Sequence, residues 1–355
     1  MTVALRAIDA DDAIEVHRVC AHPDVARTLG GLWTDGLEGW KKRIAESPLE
    51  RTTFVGAFDG PELLGLAHMQ GMPRARQRHI ARVWLAVDPR VWGRGIGTQL
   101  MGALCDAADR WWSYLRLELD VHEDHAAAIE LYRRAGFEVE VHKRCDMLRD
   151  GRIVDGVHMA RIRPGFEAPP ALGAPAPIAP RGPRIDRKQI QIRASRFDDA
   201  GGMARLHETD SVMEGTFATP FQNEREWRAR LAANDSNVRS LVAIHGGQLV
   251  GSAALFQQPS PRLAHAAGFG MSVHPDVQGR GVGDALMAAI LDLADRWMGV
   301  RRVQLEVYVD NERAQALYAK HGFEREGVQR LAAFRRGTYV DAVVMSRIRP
   351  GAIAT

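Results

Sequence analysis

The sequence predicts an α/β (α+β) protein built from two tandem copies of one domain. When the 355-residue chain is shifted by 186 positions, VWGRGIGTQLM at 91–101 aligns with VQGRGVGDALM at 277–287. Between 79–165 and 265–351, 40 of 87 aligned positions are identical without a gap. Within each copy, short strand-like runs alternate with longer amphipathic runs. A repeat this long indicates a duplicated domain, because its period exceeds that of any solenoid.

A segment rich in proline and alanine separates the two copies. The sequence EAPPALGAPAPIAPRGPR has little to bury, and its prolines make it semi-extended. The opening of the second copy, IQIRASRFDDAGGMARLH, matches ALRAIDADDAIEVHRVC near the start of the chain. We therefore expect a first domain over 1–166, a linker over 167–188 and a second domain over 189–355.

The elements of each copy follow in the same order. A short strand (VALRAI) precedes a helix behind an Asp cap (DDAIEVHRVCA), and a hairpin follows around DGPE or GGQ. A strand that ends at proline leads through a glycine-rich loop into a long amphipathic helix. The next strand (LRLELDV or VQLEVYV) is followed by a helix that ends at Gly-Phe, and a last strand pair surrounds RDGR or RRGT. This order predicts a mixed sheet with helices.

Composition excludes several classes of partner. A formal net charge of +3 is too small to indicate nucleic acid. No apolar run is long enough to span a membrane, and the N-terminus becomes acidic too early for a signal peptide, so we expect a cytoplasmic protein. The three cysteines (Cys20, Cys105 and Cys145) lie far apart in the first copy, and the second copy has none. We interpret them as packing residues.

The loop QGRGVG, between a strand and a helix, is the first segment whose residues indicate a ligand-binding site. Gly279, Gly281 and Gly283 allow backbone N–H groups to approach a ligand, and a helix N-terminus favours negative charge. This pattern indicates a pyrophosphate site. It is neither the GxGxxG of dinucleotide folds nor a Walker motif, and a tight structural turn is the alternative.

Two linked motifs sharpen this interpretation. VHPDVQGRGVGDALM, followed about 25 residues later by LEVYVDNERAQALYAKHGF, resembles the GNAT superfamily of acetyl-CoA-dependent N-acetyltransferases, and both copies carry the resemblance. The C-terminal segment of each copy, RRGTYVDAVVMSRI in particular, resembles the bacterial branch of this superfamily that acetylates free amino acids and related small amines. The resemblance implies two tandem GNAT domains, each with a mixed, mostly antiparallel, splayed sheet flanked by helices.

The resemblance also implies how acetyl-CoA, the expected cosubstrate, binds. Backbone amides of the loop hold the pyrophosphate, the pantetheine arm lies between two splayed strands, and the amine attacks directly. The residues expected to bind acetyl-CoA are Val273, Gln278, Gly279, Arg280, Gly281, Val282, Gly283 and Asn311 in the second copy, and Val87, Gly93, Arg94, Gly95, Ile96 and Gly97 in the first.

Tyr318 is the candidate general acid. It follows Asn311 by seven residues on a helix that faces the thioester in this family. A phenol with a pKa of about 10 can protonate a leaving thiolate whose conjugate pKa is about 8.5. A packing role is the alternative for Tyr318 and for Tyr132, which occupies the same place in the first copy.

The general base is open to several interpretations. Many GNAT enzymes place a carboxylate on the strand before the loop, but here Arg82 and Gly268 occupy one such position. His265, matched by His79, begins that strand and titrates in a suitable range. Glu306, matched by Asp120 on the neighbouring strand, is the other candidate, and a water relay is equally possible.

The acceptor pocket is predicted from the segment after the first helix. Its candidate contacts in the second copy are Phe217, Pro220 and Phe221, together with Tyr339 in the tail, and Leu32 and Trp33 are the counterparts in the first copy. Apolar and aromatic residues indicate an acceptor with a hydrophobic part, although ordinary packing explains them equally well. Trp40 and Trp227 are predicted to be core residues.

The two copies differ at motif positions. Trp92 replaces Gln278, His125 replaces Asn311, and Ile153 replaces Tyr339. These changes predict a first copy that binds acetyl-CoA without turnover or serves only as a structural partner. The run HEDH at 122–125 has no apparent third ligand and aligns with YVDN, so we expect no metal.

The sequence as a whole predicts acetyl transfer to a primary amine of a small molecule, either an amino acid or an amine antibiotic. One alternative acceptor is a protein N-terminus or lysine. A second alternative is an acyl-CoA-binding sensor or scaffold. A homodimer is possible, and no nucleic-acid or membrane partner is expected.

Overall fold

In the computed structural model, which describes residues 2–30, 36–170, 182–233 and 236–349, the chain forms two compact units. They comprise Met1–Ala168 and Pro169–Thr355. Each unit contains one mixed, mostly antiparallel sheet flanked by helices, which confirms the predicted fold class. Among the described helices, none combines the length and the hydropathy needed to cross a membrane.

The described residues of the first unit form seven strands in the order β1-β2-β3-β4-β5-β7-β6. Its elements are β1 (Ala4–Ala7), α1 (Ala13–Cys20), α2 (Pro23–Ala26), α3 (Leu37–Ala45), β2 (Thr52–Asp59), β3 (Glu62–Gly71), β4 (Ile80–Val87), α4 (Ile96–Arg110), β5 (Arg116–His122), α5 (Ala126–Arg134), β6 (Glu138–Arg149) and β7 (Arg152–Ile162).

The second unit repeats this order as β8-β9-β10-β11-β12-β14-β13. Its elements are β8 (Gln191–Ala194), α6 (Ala200–His207), α7 (Asp210–Gly215), α8 (Glu224–Ala232), β9 (Val238–His245), β10 (Gln248–Gln257), β11 (Ala266–Val273), α9 (Val282–Asp292), β12 (Arg302–Tyr308), α10 (Glu312–Lys320), β13 (Glu324–Arg335) and β14 (Thr338–Ile348).

One parallel strand pair in each unit separates along its length. β4 pairs with β5 only from Ile80 to Arg82, although β4 continues to Val87. In the second unit β11 pairs with β12 only from Ala266 to Gly268. Beyond these three positions the strands diverge, which confirms the predicted splay and leaves a wedge that is open toward the glycine loop.

Each sheet has two different faces, because successive side chains of a strand point to opposite sides. In the first unit Ala81 and Val83 pack in the core with α4, whereas Trp84 and Ala86 pack with α1 and α3. We call these the α4 face and the α1 face. The corresponding α9 face of the second unit carries Phe269, and its opposite side is the α6 face.

Buried side chains anchor the long helix of each unit. On α4 the fully buried Leu100, Met101 and Leu104 lie on one side of the helix, and burying each such side chain contributes about 2 kcal/mol. Cys20 and Cys105 are also buried, and burial raises the pKa of the Cys20 thiol to about 12. These two cysteines therefore pack in the interior, as expected.

The last part of the predicted linker lies against the second unit. Ile185 is 5% exposed and belongs to the core that contains α9. Its backbone N–H donates to the carbonyl of Arg280 at 2.9 Å. An apolar residue within an otherwise polar segment accounts for this attachment. Residues 171–181 fall outside the described part of the chain, and the boundaries 167–188 remain a prediction.

Candidate active site

The glycine loop of each unit ends in a helix whose first turn is open. Gly95 and Gly281 precede α4 and α9 with φ of +80° and +98°, in the left-handed region that favours glycine. Gly93 and Gly279 also have positive φ. No side chain caps either helix. The N–H groups of such a first turn have no partner within the helix and can bind an anion, so this geometry suits a pyrophosphate.

Trp92 and Gln278 make the same hydrogen bond in the two units. The Gln278 amide donates to the carbonyl of Val273 at 2.9 Å, and the Trp92 indole N–H donates to the carbonyl of Val87 at 2.7 Å. Val87 and Val273 are equivalent positions at the end of the splayed strand. Although Trp92 and Gln278 differ in the sequence, both therefore form the hydrogen bond that joins the glycine loop to its strand.

Asn311 and His125 differ more. The Asn311 side chain accepts a hydrogen bond from the backbone N–H of Ala314 at 3.2 Å and so caps α10. His125 makes no such cap on α5, and burial lowers its pKa. The second copy thus has a side-chain helix cap that the first copy lacks at this position.

Tyr318 lies beside the point where β11 and β12 separate. Its ring is 7% exposed and meets Phe269 edge-on, with 6.1 Å between ring centroids, and Phe269 directly follows the last paired residue of β11. Burial raises the pKa of Tyr318 to about 12, so the phenol carries its proton at neutral pH. Tyr132 is equally buried, and its pKa is also raised to about 12.

The two candidate bases lie at different ends of the splayed pair. The carbonyl of His265 accepts from the N–H groups of Arg301 and Arg302, which places His265 at the closed end. It precedes Gly268 by three residues, or about 10 Å of strand. Glu306 is exposed and lies beyond the last paired residue of β12, on the α6 face. Tyr318 belongs to the core on the opposite face.

The predicted acceptor residues do not form one cluster. Phe217 packs edge-on against Tyr308 and near Val340 on the α6 face. Strand alternation places Tyr339 on the other side of β14, beside Phe334. Pro220 is exposed, and Phe221 is 96% exposed with a φ of +65°.

The remaining sequence predictions near this region have mixed outcomes. Trp40 is a core residue at 5% exposure, whereas Trp227 is only partly buried. Leu32 and Trp33 lie outside the described residues.

A charged cluster occupies the α1 face of the first unit, and sequence reasoning missed it. The buried Glu118 accepts from Arg82 at 3.0 Å and from Arg116 at 3.2 Å. Asp120 lies 2.9 Å from the Nδ1 atom of the buried His158 and 3.4 Å from the Nζ atom of Lys143. These residues come from four strands, so only the folded sheet brings them together.

The electrostatics of this cluster favour charged forms. Burial alone would lower the pKa of His158, but Asp120 and Glu118 outweigh burial and raise it to about 9. Arg116 Nη2 lies 3.1 Å from Nε2 of His158, and its positive charge opposes protonation of the imidazole. The two carboxylates outweigh this single guanidinium. Although burial would raise the pKa of Asp120, Lys143 and His158 hold it well below its ordinary value.

The second unit replaces most of this cluster. The positions of Arg82, Glu118, His158 and Lys143 hold Gly268, Gln304, Val344 and Gln329. Arg116 also forms a buried ion pair with Glu140 at 2.7 Å, and its counterpart Arg302 keeps this pair with Glu326 Oε2 at 2.6 Å. A Cβ on Gly270, which replaces Trp84, would meet only Phe256 within 4 Å, at 3.8 Å. The α6 face is therefore more open and carries fewer cations at these positions.

A basic side chain from outside the motifs lies on the second glycine loop. The Nε atom of Arg184 is 3.3 Å from where a Cβ of Gly281 would be. Arg280, in the loop itself, donates through Nε to the carbonyl of Pro183 at 2.9 Å. Both arginines therefore lie beside the backbone of this loop.

The run HEDH does not converge on one point. Glu123 contacts His142 at 3.2 Å, and Asp124 pairs with Arg149 at 2.9 Å. Within the described ranges, no group of three or more His, Cys, Asp or Glu side chains could hold a metal ion.

Comparison with known proteins agrees with this geometry. The model of the acetyltransferase (GNAT) family matches residues 12–137 and 204–323. The chain is 36% identical to the L-amino acid N-acetyltransferase of Escherichia coli over 161 residues, which cover 45% of this chain and 99% of the relative. It is 28% identical to the mycothiol acetyltransferase of Clavibacter michiganensis over 333 residues, or 90% of this chain and 95% of that relative.

One solved structure aligns with about half of the chain. The spermidine N-acetyltransferase of Vibrio cholerae, in complex with CoA and spermine, aligns with a TM-score of 0.42 and 24% identity. It covers 46% of this chain and 98% of its own.

The splayed strand pair, the open helix N-terminus and the family matches define the class of protein. The chain belongs to the GNAT acetyltransferase family and carries two regions that match it. It is an acetyl-CoA-dependent N-acetyltransferase, which confirms the class of enzyme and the cosubstrate that its motifs predicted.

Proposed function

We propose that this protein transfers the acetyl group of acetyl-CoA to the primary amine of a small molecule by direct attack. The wedge between the splayed strands, which opens toward a helix N-terminus, carries this proposal because it suits an extended pantetheine arm joined to a pyrophosphate. The relatives named for an L-amino acid and for mycothiol support a small acceptor.

The proposed acetyl-CoA contacts are the loop residues of both copies. In the second copy they are Val273, Gln278 to Gly283 and the cap residue Asn311, and in the first they are Val87 and Gly93 to Gly97. Trp92 and Gln278 donate equivalent hydrogen bonds, to the carbonyls of Val87 and Val273, which supports acetyl-CoA binding by both loops. Phe217 is the best-supported acceptor contact, because it lies on the α6 face with Glu306.

The proposed reaction assigns one role to each face of the splayed pair in the second unit. An ammonium group loses one proton to solvent or to Glu306, and its nitrogen attacks the thioester carbonyl. The new N–C bond forms, the C–S bond breaks, and the thiolate takes a proton from Tyr318 on the other face. The second proton of the amine then leaves, and Tyr318 regains a proton from solvent, so each turnover yields the amide, CoA and one net proton. Glu306 fits the base role better than His265, which lies at the closed end.

Release of the CoA thiol tests this proposal. The full-length protein is incubated with acetyl-CoA and a panel of amino acids and other primary amines, and thiol release and acetylated product are measured together. Product that depends on both the amine and the protein is expected. Absence of CoA release with every amine, despite acetyl-CoA binding by calorimetry, would contradict the proposal.

A further inference from the structure

The α1 and α6 faces present different charges at the same place in the two units. Arg82 and Glu118 are the last paired residues of β4 and β5, and Asp120 is the next residue on the same face of β5. The Arg82 and Asp120 side chains are 60% and 43% exposed. A cation and an anion therefore lie within reach of solvent where the wedge begins.

The surroundings hold these two charges in place. Arg82 is fixed by its 3.0 Å hydrogen bond to the buried Glu118, and Asp120 by its contacts with His158 and Lys143. The carboxylate of Asp120 stays ionised because it lies between two cations. An exposed carboxylate beside an exposed guanidinium complements a ligand that carries an ammonium and a carboxylate on one carbon atom.

The second unit keeps the anion and lacks the cation. Glu306 occupies the position of Asp120, and Gly268 occupies the position of Arg82. Gly268 lies opposite Phe256 on β10, and Phe256 is 45% exposed. Gly268 and Gly270 carry no side chains and lie beside the Phe256 ring, so the α6 face leaves room there for an apolar group. It provides no guanidinium at this position for a carboxylate.

From this difference we infer that the first copy is a second acetyl-transfer site, selective for zwitterionic α-amino acids, and that the second copy is selective for primary amines without a neighbouring carboxylate. This inference rests on the proposed function. In the first copy Arg82 binds the acceptor carboxylate and Asp120 the ammonium. In the second copy Glu306 faces the amine and Phe256 contacts its apolar part. The transfer step is the one written above, with the amine proton released to solvent in the first copy.

Matched acceptors test the inference in the full-length protein. L-leucine and 3-methylbutylamine differ only in the carboxylate, and L-phenylalanine and 2-phenylethylamine form a second such pair. The kcat/KM of each acceptor is measured for the unmodified protein, for Arg82→Gly, which copies the second unit, and for Gly268→Arg, which copies the first.

The expected result is a double dissociation. Arg82→Gly should lower kcat/KM for the amino acids at least tenfold and leave the amines within twofold, because a charge-assisted hydrogen bond to the carboxylate is lost. Gly268→Arg should lower kcat/KM for the amines at least tenfold, because the new side chain occupies the space beside Gly268 and Gly270 and places a cation beside the acceptor. Arg82→Lys, which keeps the charge, should lose less than Arg82→Gly.

A second pair of variants guards against misfolding. Asp120→Asn and Glu306→Gln are close in shape to the originals and should reduce amino-acid and amine transfer, respectively, by roughly tenfold each. If every variant changes both acceptors in parallel, or if Arg82→Gly leaves amino-acid transfer intact, the inference is wrong while the proposed function stands. If no acceptor releases CoA from the unmodified protein, the proposed function fails and the inference with it.

Discussion

The two units share a backbone plan and differ in the chemistry of one sheet face. The α4 and α9 faces are similar, with a long helix, a buried tyrosine and a glycine loop in each. The α1 face carries Arg82, Asp120 and His158, whereas the α6 face carries Gly268, Glu306 and Val344 at the same positions. The side expected to bind acetyl-CoA is therefore alike in the two units, whereas the opposite side differs.

The largest expected effect concerns the tyrosines that the copies share. Tyr318→Phe should lower turnover of 3-methylbutylamine about a hundredfold or more, because the leaving thiolate loses its proton donor. Tyr132→Phe should do the same for L-leucine and serves as the matched variant. Turnover is followed by CoA release, with acetyl-CoA affinity measured by calorimetry. Unchanged turnover in both variants would mean that these buried rings only pack.

The second prediction concerns stability and separates the two faces. His158→Val, which copies the second unit, should destabilise the first unit by about 3 kcal/mol at pH 6, because a buried cation between two carboxylates is removed. The pKa of His158 is raised to about 9, above the unfolded value of about 6.5. Its contribution is therefore complete below about pH 6.5 and is lost as the pH rises through 9.

Urea unfolding of both proteins at pH 6 and pH 10 checks this sign. The difference in unfolding free energy should shrink at the higher pH. His142→Val, at an exposed position of the same unit, is the control and should change little at either pH. A larger difference at pH 10 than at pH 6 would show that His158 is neutral in the folded protein.

The third prediction concerns the segment that lies against the second glycine loop. Arg184→Ala should weaken acetyl-CoA binding at the second site about fivefold, because a guanidinium beside the glycine loop attracts phosphate. Calorimetry on the full-length protein measures this affinity, and Lys188→Ala, an exposed cation of the same segment, is the control. Tighter binding after Arg184→Ala would mean that the side chain obstructs the loop.

The smallest expected effect is at the loop position that differs most in sequence. Trp92→Gln should change acetyl-CoA affinity of the first site less than twofold, because either side chain can donate to the Val87 carbonyl. Trp92→Leu removes the donor and should weaken binding about fivefold, which corresponds to the loss of about 1 kcal/mol. Equal affinities for all three proteins would show that the hydrogen bond has no part in shaping the loop.

Sequence analysis could predict what depends on local patterns. The duplication, the strand-to-helix glycine loop and the order of elements are all written in contiguous residues, and the family resemblance supplied the splay. The sequence analysis interpreted Trp92 as the loss of a motif residue. It could not foresee the hydrogen bond from the indole N–H to the carbonyl of Val87, because that contact depends on the loop conformation. It missed the cluster around His158, because Asp120 is 38 positions from His158 and Lys143 is 15, and the sheet brings Asp120 to His158 and Lys143 to Asp120.

The attachment of Ile185 shows that the second folded unit extends beyond the repeat that is detectable in the sequence. The repeat detectable in the sequence begins close to Gln189, yet the core of the second unit includes a side chain four residues earlier and a backbone bond from it to the glycine loop. A fragment cut at the repeat boundary would lack a buried isoleucine, worth about 2 kcal/mol, and one support of the loop. Part of the predicted linker is thus a structural component of the second domain.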